Sequence, residues 1–375
     1  MRWVTYFPRF ERIHLTKDVG LIPFYASLNG YEATLLGHAD QPVESTEEAA
    51  GLQLELLEEK GKLFFLDRAF LDWLKANASE THVLHLFHLS RDSIFYGAYY
   101  KRLNPKGKLY LKMDAYNDHL LSRKQYAKHP IKNALLKRTE KDFLRHLDLA
   151  TIENRKGLEL ATKIYPELLQ KLEYLPNGCN DIFLDKHFIE KPAKEKIILS
   201  VGRLGSSDKN YELLLAALPQ INLPEWKFAI VGPVGPDFQV KIDEFFTLHP
   251  QWRDRISFTG GISDRKKLYG LYSKASVFFL PSRFESFGIS FVEALYFGAC
   301  LVGHHGMYAY GDICEEGEYG CFFEDNKADS LANAIEEAAA KSSETDFAEE
   351  ASEHGRKSFS WSKLTEKLIA KLNHV

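Results

Sequence analysis

The sequence lacks the long apolar runs and the cysteine patterns that mark membrane-spanning or secreted proteins. Its apolar stretches, such as Ala275 to Leu280, are far shorter than the roughly 20 residues that cross a bilayer, and Met1 opens no signal peptide. The four cysteines form no CxxC pair, which argues against a zinc site or a disulfide framework. We therefore expect a cytoplasmic protein with four ordinary thiols, at Cys179, Cys300, Cys314 and Cys321.

The length and composition are those of a globular protein with two domains. A chain of 375 residues is longer than one hydrophobic core usually supports, and 45% of its residues are hydrophobic and 27% charged. The segment Pro176-Asn177-Gly178 and the polar stretch from Asp185 to Lys196 are typical of a linker. We predict one domain over residues 1–180, a second over 181–360, and a helix over 361–375 that packs back across their junction.

Short apolar runs alternate with helical patterns along the chain, which is typical of parallel sheets with crossover helices. The predicted fold class is therefore α/β, with a doubly wound parallel sheet in each half and a cleft between the two domains. The strands predicted in the first half are Trp3 to Phe7, Tyr31 to Leu36, His82 to Phe87, Lys108 to Met113 and Leu147 to Ile152. Those predicted in the second half are Lys196 to Val201, Lys227 to Val231, Ile256 to Thr259, Val277 to Leu280 and Cys300 to Gly303.

The formal net charge of -4 conceals a strongly basic segment. Residues 101–145 contain thirteen lysines and arginines against four acidic residues. Such a segment favours an anionic surface or substrate, including the cytoplasmic face of a membrane, although solvated helix faces are an alternative explanation. We do not expect nucleic acid as a partner, because no aromatic platform or groove-reading motif accompanies the charge.

The most informative segment runs from Leu280 to Ala294. It follows an apolar strand and enters an apolar-periodic helix, so we expect Glu285 in the turn and Glu293 in the first turns of the helix. The N–H groups around Phe287, Gly288 and Ile289 would face the open carboxyl end of the sheet, where a diphosphate fits. The alternative is structural, because Ser290-x-x-Glu293 also satisfies the capping-box pattern.

A second constellation follows the strand that ends at Val201. Gly202 and Arg203 enter a polar loop that ends at Lys209, directly before a predicted helix from Tyr211 to Leu218. A helix N-terminus disfavours a cation, so a bound anion such as phosphate would explain the position of Lys209. A surface ion pair is the alternative for Arg203.

Together these motifs resemble the retaining glycosyltransferases of family 4, which have the GT-B fold of two facing Rossmann-like domains with an interdomain cleft. The resemblance covers most of the C-terminal half. The residues that carry it are Val201-Gly202-Arg203-Leu204, Lys209-Asn210, Phe258-Thr259-Gly260, Pro281-Ser282-Arg283, and Glu285 with Glu293 as the family's E-x7-E pair.

The resemblance implies roles for individual residues. Arg203 and Lys209 would bind the donor diphosphate and stabilise the leaving nucleotide, Glu285 would contact the transferred sugar, and Glu293 would hold the ribose hydroxyls. The other donor-binding residues that it implies are Gly202, Val231, Gly260, Phe287, Gly288 and Ile289. The domain over 181–360 would thus bind the nucleotide sugar, and the domain over 1–180 would bind the acceptor.

The N-terminal half departs from the family at two points. Family members often carry a glycine pair in the loop after the first strand, and here only Gly20 remains, as a candidate contact to the donor phosphates. After the strand from Lys108 to Met113 the family commonly places a histidine near the reacting sugar. Asp114 stands there in this chain and is the fourth catalytic candidate, with Arg203, Lys209 and Glu285.

By resemblance, the chain would transfer a sugar with retention from a nucleotide diphosphate sugar, with UDP as the first choice, to a hydroxyl of a glycan, glycolipid or other glycoconjugate. Its setting would be cell-surface polysaccharide assembly. We expect neither a metal nor another cofactor, because the sequence has no Asp-x-Asp and the two cations can neutralise the diphosphate. An inactive GT-B partner subunit, a nucleotide-sugar epimerase and a sugar phosphorylase are the alternatives.

Overall fold

The computed structural model describes residues 1–113, 130–188, 193–324 and 326–374, and only the backbone of residues 130–135. The chain divides into an N-terminal unit, Met1–Phe183 with Trp361–Val375, and a C-terminal unit, Leu184–Ser360. Each unit contains one large parallel sheet with crossover helices, which confirms the predicted fold class. The last helix belongs to the N-terminal unit, and the unit boundary follows Phe183.

The described N-terminal part alternates strands and helices from its first residues. Its strands are β1 (Arg2–Arg9), β2 (Glu32–His38), β3 (Gln53–Leu56), β4 (Lys62–Leu63), β5 (Leu66–Asp67), β6 (Thr81–Phe87), β7 (Lys108–Met113), β8 (Leu149–Ile152) and β9 (Leu172–Tyr174). Its helices are α1 (Asp18–Leu28), α2 (Arg68–Asn77), α3 (Arg91–Leu103), α4 (Pro130–His146), α5 (Arg155–Ile164) and α6 (Asp181–His187).

Seven of these strands form one parallel sheet in the order β3-β2-β1-β6-β7-β8-β9. Strands β4 and β5 pair separately as a short antiparallel hairpin. Apolar side chains cover both faces of the large sheet, with Phe70, Tyr100 and Phe143 on one face and Trp3, Tyr25 and Leu35 on the other. Burial on both faces is what makes parallel strands read as apolar runs in sequence.

The C-terminal part repeats the scheme. Its strands are β10 (Glu195–Val201), β11 (Lys227–Val231), β12 (Ile256–Gly260), β13 (Ala275–Phe279), β14 (Cys300–His304) and β15 (Gly320–Phe323). Its helices are α7 (Tyr211–Ala217), α8 (Pro236–Leu248), α9 (Arg265–Lys274), α10 (Ile289–Tyr296), α11 (Tyr310–Ile313), α12 (Ala328–Lys341) and α13 (Phe347–Ser358), and α14 (Trp361–His374) follows them.

The six C-terminal strands form a parallel sheet in the order β12-β11-β10-β13-β14-β15. The strand order therefore reverses between β10 and β13, and in such a sheet the crevice outside the carboxyl ends of these two strands is the usual ligand site. All five residues of β13 are buried. This sheet thus places the loop after Val201 beside the loop that contains Glu285.

The final helix, α14, packs against the N-terminal unit. Trp361, Leu364, Leu368 and Leu372 recur at helical spacing and lie in the same core as Trp3. The Trp361 N–H donates to the Cys179 carbonyl at 3.1 Å, and Lys371 donates to Glu173 at 2.7 Å. Across the described residues, no helix combines the length and the apolar character needed to span a bilayer.

Several predicted details differ from the structure. The polar stretch from Asp185 to Lys196, predicted as linker, begins inside α6 and ends inside β10, and residues 189–192 lie outside the described part. The strands β3, β9 and β15 were not predicted, because each has only three or four residues and too little pattern to stand out. The hairpin β4–β5 is shorter still.

Candidate active site

Three glycine-containing loops meet at the carboxyl edge of the C-terminal sheet. The Gly202 N–H donates to the Val231 carbonyl, and the Gly232 N–H donates to the Gly260 carbonyl, both at 2.9 Å. Gly232 has a φ of +150°, and a Cβ there would lie 1.6 Å from the Gly202 carbonyl oxygen. The loops after β10, β11 and β12 are therefore in direct backbone contact, which only glycine at 232 permits.

The structure thus brings the predicted residues Gly202, Val231 and Gly260 together. Gly260 also has a positive φ, of +70°, and has open space beside it. The Val231 side chain is buried in the sheet, so only its backbone lies at this edge.

Lys209 and Glu285 form an ion pair at the same edge. The Lys209 Nζ donates to the Glu285 Oε1 at 2.5 Å, and the Ser282 hydroxyl donates to that oxygen at 2.7 Å. Their side chains are only 17% and 13% exposed. The ammonium has two further N–H donors, and both hydrogen bonds to the carboxylate fall on Oε1, so both groups can still bind a ligand.

This pair explains the position of Lys209 without an anion, because Glu285 supplies the compensating negative charge. Asn210, with a φ of +53°, is the N-cap of α7. The loops after β10 and β13 are also joined by the Arg283 N–H, which donates to the Asp208 carbonyl at 3.0 Å. Two segments that are 76 residues apart in sequence thus form one polar cluster.

Arg203 is placed differently from Lys209. Its guanidinium lies 3.6 Å from the Asp208 carboxylate, and its side chain is 70% exposed. It is on the correct loop for a diphosphate contact, but its present partner is a surface carboxylate, as the ion-pair alternative predicted. A role in binding or catalysis remains a prediction for this residue.

The helix that follows Glu285 begins at Ile289 and has Gly288 as its N-cap, with a φ of +88° and no side-chain cap. A Cβ on Gly288 would lie 2.8 Å from the Phe291 ring, so a larger residue would disturb both the turn and the packing. Phe287 is buried, and Ile289 is half-buried. The capping-box alternative is wrong, because Ser290 lies inside the helix instead of at its N-cap.

Glu293 is held by side chains that the sequence pattern did not single out. Its Oε1 accepts hydrogen bonds from Arg265 Nη2 at 2.8 Å and from the Tyr269 hydroxyl at 2.9 Å. Burial lowers the pKa of Arg265, but Glu293, Tyr269 and Tyr272 together raise it by more, so the net shift is upward. Burial and then Glu293 raise the pKa of Tyr272 well above its usual value. The four- and three-residue spacing of Arg265, Tyr269 and Tyr272 could have indicated one polar face on this helix.

The predicted N-terminal candidates lie apart from these loops in sequence. Gly20, expected in a loop, lies in the first turn of α1, where its N–H donates to the Lys17 carbonyl at 3.1 Å. A Cβ there would lie 2.5 Å from Leu15 Cα, so the helix packs against the preceding turn only because residue 20 is glycine. Asp114 lies outside the described residues.

A buried polar cluster lies near the carboxyl ends of the N-terminal strands. Lys112 on β7 has no exposed side-chain surface, and its Nζ is 3.9 Å from Asp18 Oδ2. His85 on the neighbouring strand β6 is equally buried. Burial, and then the Lys112 charge, lower the pKa of His85 well below its usual value. The sequence did not predict this cluster, because a lysine near the end of a strand is usually exposed.

Comparison with known proteins identifies the C-terminal part. Residues 181–358 match the family "Glycosyl transferases group 1". This stretch, which coincides with the unit that carries the Lys209–Glu285 pair and Glu293, is therefore a glycosyl transferases group 1 domain.

Two curated relatives are similar over a part of the chain. An uncharacterized 41.2 kDa protein in the cps region of Klebsiella pneumoniae is 31% identical over 113 residues, which is 30% of this chain and 28% of that protein. The glycogen synthase of Xanthomonas campestris pv. campestris is 28% identical over 131 residues, which is 35% of this chain and 26% of the synthase. The chain thus spans little more than a quarter of the length of the curated relatives that it matches.

Among solved structures, the similarity extends over the whole chain. Alr3699/HepE from Anabaena, in complex with UDP and glucose, has a TM-score of 0.68 and 16% sequence identity over 99% of each chain. At this level of identity the likeness concerns the fold. The two-domain α/β architecture with parallel sheets is that of GT-B glycosyltransferases.

Proposed function

We propose that the chain is a retaining glycosyltransferase that moves a sugar from a nucleotide diphosphate sugar, UDP first, to a hydroxyl of a glycan or glycoconjugate. The observation that carries the proposal is the Lys209–Glu285 pair at the reversal of the strand order, joined to Gly202 and Gly260 at one sheet edge. The domain match, the glycogen synthase and the UDP and glucose named with the Anabaena protein support it.

The proposed chemistry divides the work between the two members of the pair. Lys209 would use its remaining N–H donors on phosphate oxygens and stabilise the negative charge that develops on the departing diphosphate. Glu285 would accept a hydrogen bond from a hydroxyl of the transferred sugar. In a retaining transfer, the acceptor oxygen bonds to the anomeric carbon while the carbon–phosphate oxygen bond breaks, and the leaving oxygen takes the acceptor proton.

Further parts of the proposal concern the remaining candidates. Arg203 would turn from Asp208 to the diphosphate, the backbone around Phe287, Gly288 and Ile289 would contact the sugar and phosphate, and Glu293 would accept from the ribose hydroxyls. The charges of Lys209 and Arg203 would replace a metal. Asp114, in the N-terminal part, would lie on the acceptor side.

Nucleotide binding tests the donor site. We expect one of UDP, GDP or ADP, at about 100 times its Kd, to stabilise the protein by about 2.7 kcal/mol, which raises Tm by roughly 5–10 °C. Lys209→Ala and Glu293→Ala should abolish this shift, whereas Lys241→Ala, which removes an exposed lysine on α8, should keep it. Stabilisation by no nucleotide would contradict the proposal, and nucleotide binding without sugar transfer to any glycan would favour the inactive-partner alternative.

We also propose that the protein works at an anionic membrane surface. The support is a basic cavity of about 450 Å³ beside the C-terminal end of α3 and the C-terminal half of α4, lined by Arg102, Arg138, Thr139, Lys141, Asp142 and Arg145. Four of these six side chains are cations, as phosphate head groups require. We expect cosedimentation with vesicles that contain phosphatidylglycerol and a loss of it in R138E/K141E. Equal binding to neutral phosphatidylcholine vesicles would contradict this proposal.

A further inference from the structure

The helix α9 turns three polar side chains towards a single carboxylate. Arg265, Tyr269 and Tyr272 are spaced at four and three residues, so they share one face of the helix. Arg265 and Tyr269 both donate to Glu293 Oε1, at 2.8 and 2.9 Å. The Arg265 guanidinium also lies over the Tyr269 ring, 4.6 Å from its centroid. These contacts fix Arg265 from two directions.

Glu293 itself is only 6% exposed. A carboxylate at that depth needs hydrogen-bond donors from the protein, because burial removes it from water. The hydrogen bonds from Arg265 and Tyr269 supply these donors and hold the side chain in one rotamer. Both of these hydrogen bonds fall on Oε1, and the Tyr272 hydroxyl interacts with the same carboxylate. Because each carboxylate oxygen can accept two hydrogen bonds, Oε2 can still accept one from a ligand.

We propose that Arg265 is the positioning residue for nucleoside recognition, because it holds the Glu293 carboxylate in the orientation that directs Oε2 to the ribose hydroxyls of the donor. This inference rests on the proposed function and assigns the ribose contact to a pair of residues instead of one. Arg265 touches no reacting atom and acts only through Glu293.

The location of α9 supports this assignment. It begins five residues after β12 ends at Gly260, at the edge where Gly202, Gly232 and Gly260 meet. Asp264 caps the helix by accepting from the Lys266 and Lys267 N–H groups, which stabilises the first turn that carries Arg265. The side chains that hold Glu293 are thus separate from the Lys209–Glu285 pair, where the diphosphate is proposed to bind.

The test compares ligands with and without ribose hydroxyls. Calorimetric titration measures the Kd of UDP, GDP and ADP, their 2′,3′-dideoxy counterparts, and pyrophosphate. In Arg265→Met, Glu293 loses the donor that positions it, and its hydrogen bond to the ribose hydroxyls should be lost as well. The nucleotide that binds the parent should therefore bind this variant ~10-fold or more weakly, because a hydrogen bond to a charged group is lost. The dideoxy compound and pyrophosphate should bind the variant as they bind the parent.

Three further variants separate positioning from general damage. Tyr269→Phe removes one donor to the same oxygen and should give a smaller loss with the same ligand pattern, while Arg265→Lys should restore part of the affinity. Lys267→Gln removes an exposed cation from the same turn and should change nothing. Tyr269→Phe keeps the buried aromatic ring and removes only the hydroxyl, so we expect this variant to fold. It therefore tests the positioning of Glu293 even if Arg265→Met folds poorly.

The overturning results are distinct. An equal loss for the ribonucleotide and its dideoxy counterpart in Arg265→Met, or no loss for either, would overturn the assignment while leaving the donor site in place. A parent that binds both compounds equally would overturn the ribose contact itself. A parent that binds no nucleotide would overturn the proposed function, and this inference with it.

Discussion

The histidine at position 85 should make the N-terminal unit sensitive to acid. His85 is fully buried on β6, its ring stacks on Tyr110 with centroids 4.5 Å apart, and its Nδ1 lies 3.1 Å from the Thr5 hydroxyl. Burial and the nearby Lys112 charge hold its pKa well below the ordinary value of 6.5. The substitution His85→Phe removes the titrating group and keeps an aromatic ring that can stack on Tyr110.

The sign and size of the effect follow from proton binding in the two states. Because the folded state disfavours the charged ring, the unfolded chain binds more protons at acid pH, and the free energy of unfolding falls as pH drops below the unfolded pKa. For a ring that stays neutral while folded, this loss is about 2 kcal/mol at pH 5 and close to zero above pH 7.5.

Hydrogen exchange in urea at pH 7.5 and pH 5, read from peptides of residues 81–113, reports the unfolding of this unit by itself. The parent should lose about 2 kcal/mol more between the two pH values than His85→Phe does, because the carboxylates that titrate are common to both. His374→Gln, which removes an exposed histidine on α14, should follow the parent. Parallel pH profiles for the parent and His85→Phe would refute the reasoning.

Two further predictions follow from the packing. Gly232→Ala should abolish stabilisation by nucleotide, because its Cβ would lie 1.6 Å from the Gly202 carbonyl; Gly261→Ala, whose Cβ would have its nearest neighbours at 3.8 Å, should not. Equal Tm shifts in both variants would argue against the loop contact. Trp361→Ala should cost about 3–5 kcal/mol of unfolding free energy in urea, since the side chain is 1% exposed, and a change below about 1 kcal/mol would contradict its place in the core.

The strands that carry the site were predictable because they are long and apolar. Strand β11 has the predicted bounds, and β10 differs by one residue, so the loops after them could be placed at one edge of a parallel sheet. The resemblance had assigned Lys209 and Glu285 to the same donor, and the strand order is what brings their two loops together. The ion pair between these two side chains could not be predicted, because whether a lysine contacts a carboxylate or only solvent depends on distances of a few ångströms.

The surroundings of Glu293 were the harder part. Its partners come from α9, 24 and 28 residues earlier in the chain, and local spacing carries no information about which helices pack together. The burial of Lys112 was equally hidden, since a lysine near the end of a strand reads as exposed. Gly20 was assigned to a loop by the resemblance to the family, whereas here close packing against Leu15 requires glycine inside a helix.

The return of α14 to the N-terminal unit makes the C-terminal unit an insertion within the other. Residues near its two ends are in contact, because Arg356 Nη1 donates to Asp185 Oδ1 at 2.6 Å. During synthesis the residues of the inserted unit all emerge before the first unit receives its last helix. The inserted unit can therefore complete its fold first, although its residues follow those of the N-terminal strands. A nonsense mutation directly before Trp361 would leave the inserted unit whole and would damage the N-terminal unit, which would lack α14.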